Sequence, residues 1–409
     1  MDFRFDFRDV FRAGRLGFSS KKIFIHFIGL VLAYSITEIL IYLSLLIVGV
    51  DDAREFWNNY ALLPICPFIT DYSDFKLITK SVMWMGMFFY FVVFFLTNTM
   101  VSKVTIQQLR GDHFFSISES VGFVQKSWKV IFGTFVGIVL TFALALIIPI
   151  AIGLLGLIPK VGHWIVMLSS ILMPIAFFIG LLMAYLIVVL GASLLFAPAV
   201  IATTDADIFE TIEQHFSIIW NQPWRIIIYE GLLLLTKIVC SLAWSFFCLI
   251  GFVLILLPIQ VLIPKETGVF MSHANVFLGN LIEKLPKYID QIVVFNLLTP
   301  QNTDPTALKI TGFIMAISTL SILALIVAYM LSIASAGNTV IYSILRKRTD
   351  GENLFESEEI APTFPDQGQE ETNSLETKRE DLKPKATQTP EGKITMETTQ
   401  DNEKGKIDD

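Results

Sequence analysis

In this chain of 409 residues 54% are hydrophobic and 16% charged, against roughly a quarter charged in an average soluble protein, so a single soluble core cannot hide its apolar surface. The formal charge of −7 is unevenly spread: residues 351–409 hold 16 Asp/Glu against 7 Lys/Arg, a net −9, which leaves residues 1–350 at +2. Three cysteines, Cys66, Cys240 and Cys248, have neither metal-ligand spacing nor the pattern of a disulfide framework.

Residues 1–22 mix Phe3, Phe5, Phe7, Phe11 and Phe18 with Arg4, Arg8, Arg12 and Arg15. That composition suits anionic lipid rather than nucleic acid, and the segment reads as a basic, aromatic strip lying in the membrane interface. The apolar run that follows, 23–50, is too long for a signal-peptide core and lacks a small-x-small cleavage pattern, so it is expected to remain as a membrane helix. Crossing the hydrocarbon takes about 20 apolar residues. Six segments qualify: 23–50, 81–102, 130–158, 164–197, 226–263 and 310–342. Several exceed the requirement, which predicts tilt, emergence or kinking, with Pro149, Pro174, Pro198 and Pro258 as the kink or end points.

Three connections join these segments in pairs on one side. The first, 51–80, carries Trp57, Tyr60, Cys66, Phe68 and Tyr72 with Pro64 and Pro67, enough for a small cap. The second is the short turn Pro159 to His163. The third, 264–309, reads as amphipathic helix interrupted near Pro286, with Val276, Phe277, Leu281, Leu285, Ile289 and Ile292 at mostly helical spacing. Lys and Arg concentrate on the other side, in the N-terminal strip, around Lys103, Arg110, Lys126 and Lys129, and at Arg346, Lys347 and Arg348. This asymmetry places both ends in the cytoplasm. Residues 347–409, rich in Glu, Thr, Lys, Gln, Asp and Pro, form a disordered acidic tail.

An internal repeat organises the membrane part. Gly111-x-x-x-Phe115-x-x-x-Glu119, Asp205-x-x-x-Phe209-x-x-x-Glu213 and Gly351-x-x-x-Phe355-x-x-x-Glu359 follow the second, fourth and sixth apolar runs. Asn98-Thr99 and Asn338-Thr339 each stand 13 residues before the opening glycine, and the first two copies end in Trp128-Lys129 and Trp224-Arg225. The expected fold is therefore all-α: a polytopic helical bundle of six transmembrane helices, built as three tandem hairpins with interfacial amphipathic elbow helices. The domains are 1–22, 23–346 and 347–409. Ser116-x-x-Glu119 and Asp207-x-x-Glu210 read as capping boxes that open the elbows. Trp128, Lys129, Trp220, Trp224 and Arg225 are the interfacial anchors.

Charge inside an apolar run marks a functional site by default. Glu38, Glu230 and Lys237 are such residues. Counted from Lys22 and Arg225, Glu38 and Lys237 fall at about 24 and 18 Å of depth. They are expected to pair, or Lys237 and Glu230, one heptad apart, to share a polar cavity. No phosphate loop, His-Glu-x-x-His, Gly-x-Ser-x-Gly or paired cysteine motif occurs, so no enzyme, cofactor or metal is expected.

The stretch 196–225, FAPAVIATTDADIFETIEQHFSIIWNQPWR, resembles the helical membrane domain attached to some bacterial glycerophosphodiester phosphodiesterases and its stand-alone inner-membrane relatives. The resemblance covers about residues 185 to 240 and implies a multi-pass protein of a bacterial cytoplasmic membrane. No phosphodiesterase domain accompanies it here, so that activity is not carried over. Two functions are weighed: a non-enzymatic scaffold or subunit that meets the bilayer and other proteins through its tail and the 264–309 loop, or a transporter of small solutes or lipids that uses the polar site at Lys237.

Overall fold

In a computed structural model, which describes residues 3–64, 75–280 and 304–356, the chain is helical, with no strand among the described residues. Two short helices, α1 (Phe7–Val10) and α2 (Ala13–Gly17), precede the long α3 (Ser20–Val48). Next come α4 (Val50–Tyr60), α5 (Leu77–Leu109), α6 (Ile117–Gly156), α7 (Gly162–Ile171), α8 (Met173–Thr204), α9 (Ile208–Asn221), α10 (Pro223–Leu262), α11 (Pro264–Phe277) and α12 (Thr306–Asp350). Six of them, α3, α5, α6, α8, α10 and α12, are long and apolar enough to cross a membrane, and the protein is an integral, multi-pass membrane protein. Only helices satisfy their own peptide groups in lipid, which is why the apolar runs resolve this way.

Among the long helices α3 packs on α5, α5 and α8 on α6, and α10 on α12. The last of these, α12, also contacts α3, α5 and α8 and is the hub of the bundle. Its sequence explains that position: Ala328, Ser332, Ser335, Ala336, Thr339 and Ser343 are all buried, and such small side chains let neighbouring backbones approach. The α3–α5 contact uses the same device, since a Cβ at Gly86 would lie 2.4 Å from Thr37 Cγ2.

Proline acts where the sequence placed it, with different outcomes. Pro174 sits just past the break between α7 and α8, whereas Pro149, Pro198 and Pro258 are carried inside continuous helices. Capping is also visible. Ser116 and Glu119 form the reciprocal box, Glu119 N–H donating to Ser116 Oγ at 3.2 Å and Ser116 N–H to Glu119 Oε2 at 2.6 Å. Asp207 accepts from Glu210 N–H at 2.9 Å, but the Glu210 carboxylate accepts instead from Gln214, so that box is half made.

Three expectations change. The first elbow is not a separate interfacial helix: α6 runs through Trp128-Lys129 unbroken, because nothing in 117–130 disrupts helix. The second elbow, α9, is separate, yet it lies along α6 and α8, with Ile218 and Ile219 buried and Tyr185 Oη donating to the Phe216 carbonyl at 3.0 Å. Residues 3–22 are not a surface strip either. Val10, Ala13 and Leu16 are buried against α10 and α12, because Gly14 and Gly17 permit backbone contact: a Cβ at Gly17 would fall 2.7 Å from Ile333 Cα. Ser332 Oγ donates to the Gly17 carbonyl at 2.7 Å.

At one end of the bundle the described termini meet, Phe3 and Phe5 against Phe355, with Arg348 donating to the Phe5 carbonyl at 3.0 and 3.1 Å. At the opposite end α4 and α11 join, Leu62 N–H donating to the Phe277 carbonyl at 3.0 Å and Trp57 resting edge-on against Phe277. The expected cap residues Cys66, Pro67, Phe68 and Tyr72, the expected helix beyond Asn280 and the expected tail from 357 lie outside the described residues. Between about 139 and 188, α6, α7 and α8 expose Leu144, Ile148, Leu155, Met167, Phe177 and Leu182, the surface of helices that meet lipid.

Candidate functional site: a polar cavity around Lys237

At the level where α12 carries Ser335, polar side chains converge from four helices. Ser335 Oγ lies 3.1 Å from His26 Nε2 of α3 and donates to Asn98 Oδ1 of α5 at 2.5 Å. One turn on, Asn338 Nδ2 donates to the Leu195 carbonyl of α8 at 2.9 Å. Beside this chain a cavity of about 250 Å³ is lined by Asn98 and Ser102 of α5, Lys237 of α10, and Ser335 and Asn338 of α12. Leu195 and Pro198 of α8 and Ile238 of α10 form its apolar walls.

The donor set is incomplete from within. Lys237 is half-buried, and no carboxylate lies within ion-pair distance of it among the described residues. Ser102 Oγ and Asn338 Oδ1 are buried with no hydrogen-bond partner there. Lys237 and the side chains of Ser102 and Asn338 thus border one space, and a buried polar atom is costly to leave unmatched. From Asn98 to the far end of α5 at Leu77 is about 32 Å of helix, close to one hydrocarbon thickness.

Adjoining it is a second cavity of about 310 Å³, almost wholly apolar, bounded by Gly29, Leu30 and Ala33 of α3 and Met87 and Tyr90 of α5. Phe94 and Leu331 belong to the walls of both.

The three charges singled out in the apolar runs part company here. Glu230 lies within the influence of Lys237's charge, one heptad along α10, and its Oε1 is buried without a hydrogen-bond partner among the described residues. Glu38 is elsewhere. It is 7% exposed among Tyr34, Tyr42 and Tyr90, whose hydroxyls feel its charge. Tyr34 Oη donates to the Leu62 carbonyl at 2.6 Å and Tyr42 Oη to that of Ala61. No ion pair joins Glu38 and Lys237, and α12 packs against both of their helices. Lys22, the basic residue at the start of α3, is itself fully buried, its Nζ donating to the Leu16 carbonyl at 2.9 Å.

The anchors are at the surface. Trp128, Trp220 and Trp224 are exposed, Lys129 lies over the Trp128 ring, and Arg225 over that of Trp224. Asn98, Ser102, Ser335 and Asn338 were not read as site residues from the sequence. Two of them nonetheless carried a signal, the equal spacing of Asn98 and Asn338 ahead of Gly111 and Gly351. No group of three or more metal-ligating side chains occurs among the described residues. No protein-family model, no curated protein and no solved structure matches this chain.

Proposed function

We propose that this chain is a non-enzymatic ligand-handling protein of a bacterial cytoplasmic membrane, with both ends in the cytoplasm, and that its working element is the cavity at Lys237. The observation that carries this reading is that Lys237 borders one cavity together with Ser102 and Asn338, whose Oγ and Oδ1 are buried with no hydrogen-bond partner among the described residues. A lysine in such a place recruits an anion, because desolvated charge demands a partner. The test is thermal stabilisation of the full chain in mild detergent by inorganic phosphate, glycerol phosphate and phosphatidylglycerol micelles. At least one should raise the midpoint of wild type and leave Lys237→Ala unmoved. Equal responses of the two proteins to every probe would refute the site. A protein co-purifying in fixed ratio with both, and no such shift, would favour the reading as a subunit or scaffold of an assembly.

The tandem-hairpin architecture belongs to the same proposal. It is supported by the positive φ of all three residues that open the repeat, Gly111 at 99°, Asp205 at 52° and Gly351 at 74°, each closing a long helix. Kinship with the membrane domain of glycerophosphodiester phosphodiesterases is proposed on the stretch 196–225 alone. It forms in order a helix end with Pro198, a turn at Asp205, the amphipathic α9 and a restart at Pro223.

A further inference from the structure

We propose that the Lys237 cavity takes the head group of an anionic, hydroxyl-bearing glycerophospholipid, and that an acyl chain of the same molecule runs over Phe94 and Leu331 into the adjoining apolar cavity. This rests on the reading of the Lys237 cavity as an anion site and adds the class of ligand. Three observations carry it. The polar and apolar cavities share two walls, Phe94 and Leu331, so one amphiphile can occupy both. The apolar cavity lies beside Met87 and Tyr90, nearer the Leu77 end of α5 than Asn98 and Ser102 and so farther from its basic end at Lys103 and Arg110, which is the order of chain and head group for a lipid standing in one leaflet. The polar groups also match a phosphate bearing a polyol. Lys237 supplies positive charge, Ser102 a hydroxyl donor, and Asn338 Oδ1, whose amide nitrogen is already engaged by Leu195, an acceptor for a head-group hydroxyl.

Glu230 bears on the same lysine. Seven residues along α10 it stands about 10 Å away along the axis, too far to replace a phosphate at contact distance but close enough to attenuate its attraction. Apart from Lys237, the wall residues contributed by α8 and α10 are Leu194, Leu195, Pro198, Leu234 and Ile238, an apolar surface that suits entry of a lipid from the bilayer. Basic pockets between membrane helices at the cytoplasmic side are established binding places for acidic head groups.

The experiment is lipid retention by the full-length chain, purified from nanodiscs of phosphatidylglycerol and, separately, of phosphatidylcholine, read by native mass spectrometry. Phosphatidylglycerol should remain bound to wild type and phosphatidylcholine should not. Lys237→Ala should weaken retention by about tenfold or more, Lys237→Arg should restore it, and Asn338→Asp, whose carboxylate repels the phosphate and competes with it for Lys237, should also weaken it. Leu30→Trp, which narrows the apolar cavity, should cost retention of long-chain lipid more than of the dihexanoyl form. Equal retention of the two lipids, or retention of phosphatidylglycerol unchanged in Lys237→Ala, overturns the proposal. Displacement of the lipid by inorganic or glycerol phosphate overturns it differently, leaving an anion site whose ligand is a free phosphate and the proposed function intact.

Discussion

His215 shows how one side chain records its surroundings. It lies in α9, outside the membrane-crossing helices, and is 2% exposed, with Nδ1 at 2.6 Å from the Thr211 carbonyl. That contact assigns the proton to Nδ1 and leaves Nε2 buried without a hydrogen-bond partner among the described residues. Burial holds the imidazole pKa down to about 4, a fall that the Thr211 carbonyl only partly offsets. The unfolded chain takes up a proton at its ordinary value of about 6.5 and the folded chain does not, so the stability tied to neutral His215 is complete above about pH 6.5 and declines as pH falls toward about 4. Other groups titrate in the same range, and a variant cancels them. The margin in unfolding temperature between wild type and His215→Gln should therefore narrow or reverse from about pH 7.5 to about pH 4.5. A margin that stays constant across that range would show that His215 is not held neutral by the fold.

At the scale of elements the N-terminal segment departs furthest from its composition. Five Phe and four Arg within 18 residues describe a surface strip, and Phe7, Phe11 and Phe18 are indeed about half exposed. The decisive residues are instead Gly14 and Gly17, whose missing side chains let α2 lie against the α10 and α12 backbones, with Phe18 edge-on to Trp244 and Tyr329. Nothing local in a Gly-x-x-Gly distinguishes this seat from a flexible joint, because the partner surface comes from more than 200 residues away. The seat can be tested by cross-linking. A Cβ at position 14 would lie 2.8 Å from Cys240 Sγ, within disulfide reach, so Gly14→Cys should oxidise to a bond with Cys240 and release a linked pair of proteolytic fragments. Adding Gly17→Leu, which collides with Ile333, should abolish the link. A cross-link as efficient in the double variant as in the single one would mean that α2 is not held there.

The same contrast runs through the rest of the chain. Span number, the Ser116 cap and the break at Pro174 were legible because each depends on residues within a turn or two of one another. The cavity was legible only in part. Lys237 stood out because charge in an apolar run is visible without a structure, but Ser102 and Ser335 are ordinary helix hydroxyls until α5, α10 and α12 bring them together. Glu38 illustrates the opposite error, since a common depth along two helices fixes height and says nothing about which helix lies between them.

For the whole molecule the question is which way it faces. The long helices have 29 to 45 residues, and α12 alone extends about 68 Å, so a bilayer of about 30 Å leaves part of the bundle outside it. The end bearing the excess is the one where Phe5 meets Arg348 and where Lys103, Arg110 and Arg346 gather. The connection between α8 and α10 is itself poor in basic residues, with Arg225 alone. The fold supplies what that segment lacks: Lys103 binds Asp205 at 2.6 Å, and the Arg110 guanidinium donates to the Thr203 carbonyl at 3.1 Å. Positive charge from the preceding connection thus covers the acidic turn, and the basic end keeps its sign throughout. Basic ends remain on the cytoplasmic side during insertion. Alkaline phosphatase fused after Pro159 should accordingly be active and the same enzyme fused after Asp350 inactive, whereas a fluorescent protein at those sites should give the reverse pattern. Phosphatase activity from the Asp350 fusion would invert the molecule, moving the Lys237 cavity to the outer leaflet and its ligand supply with it.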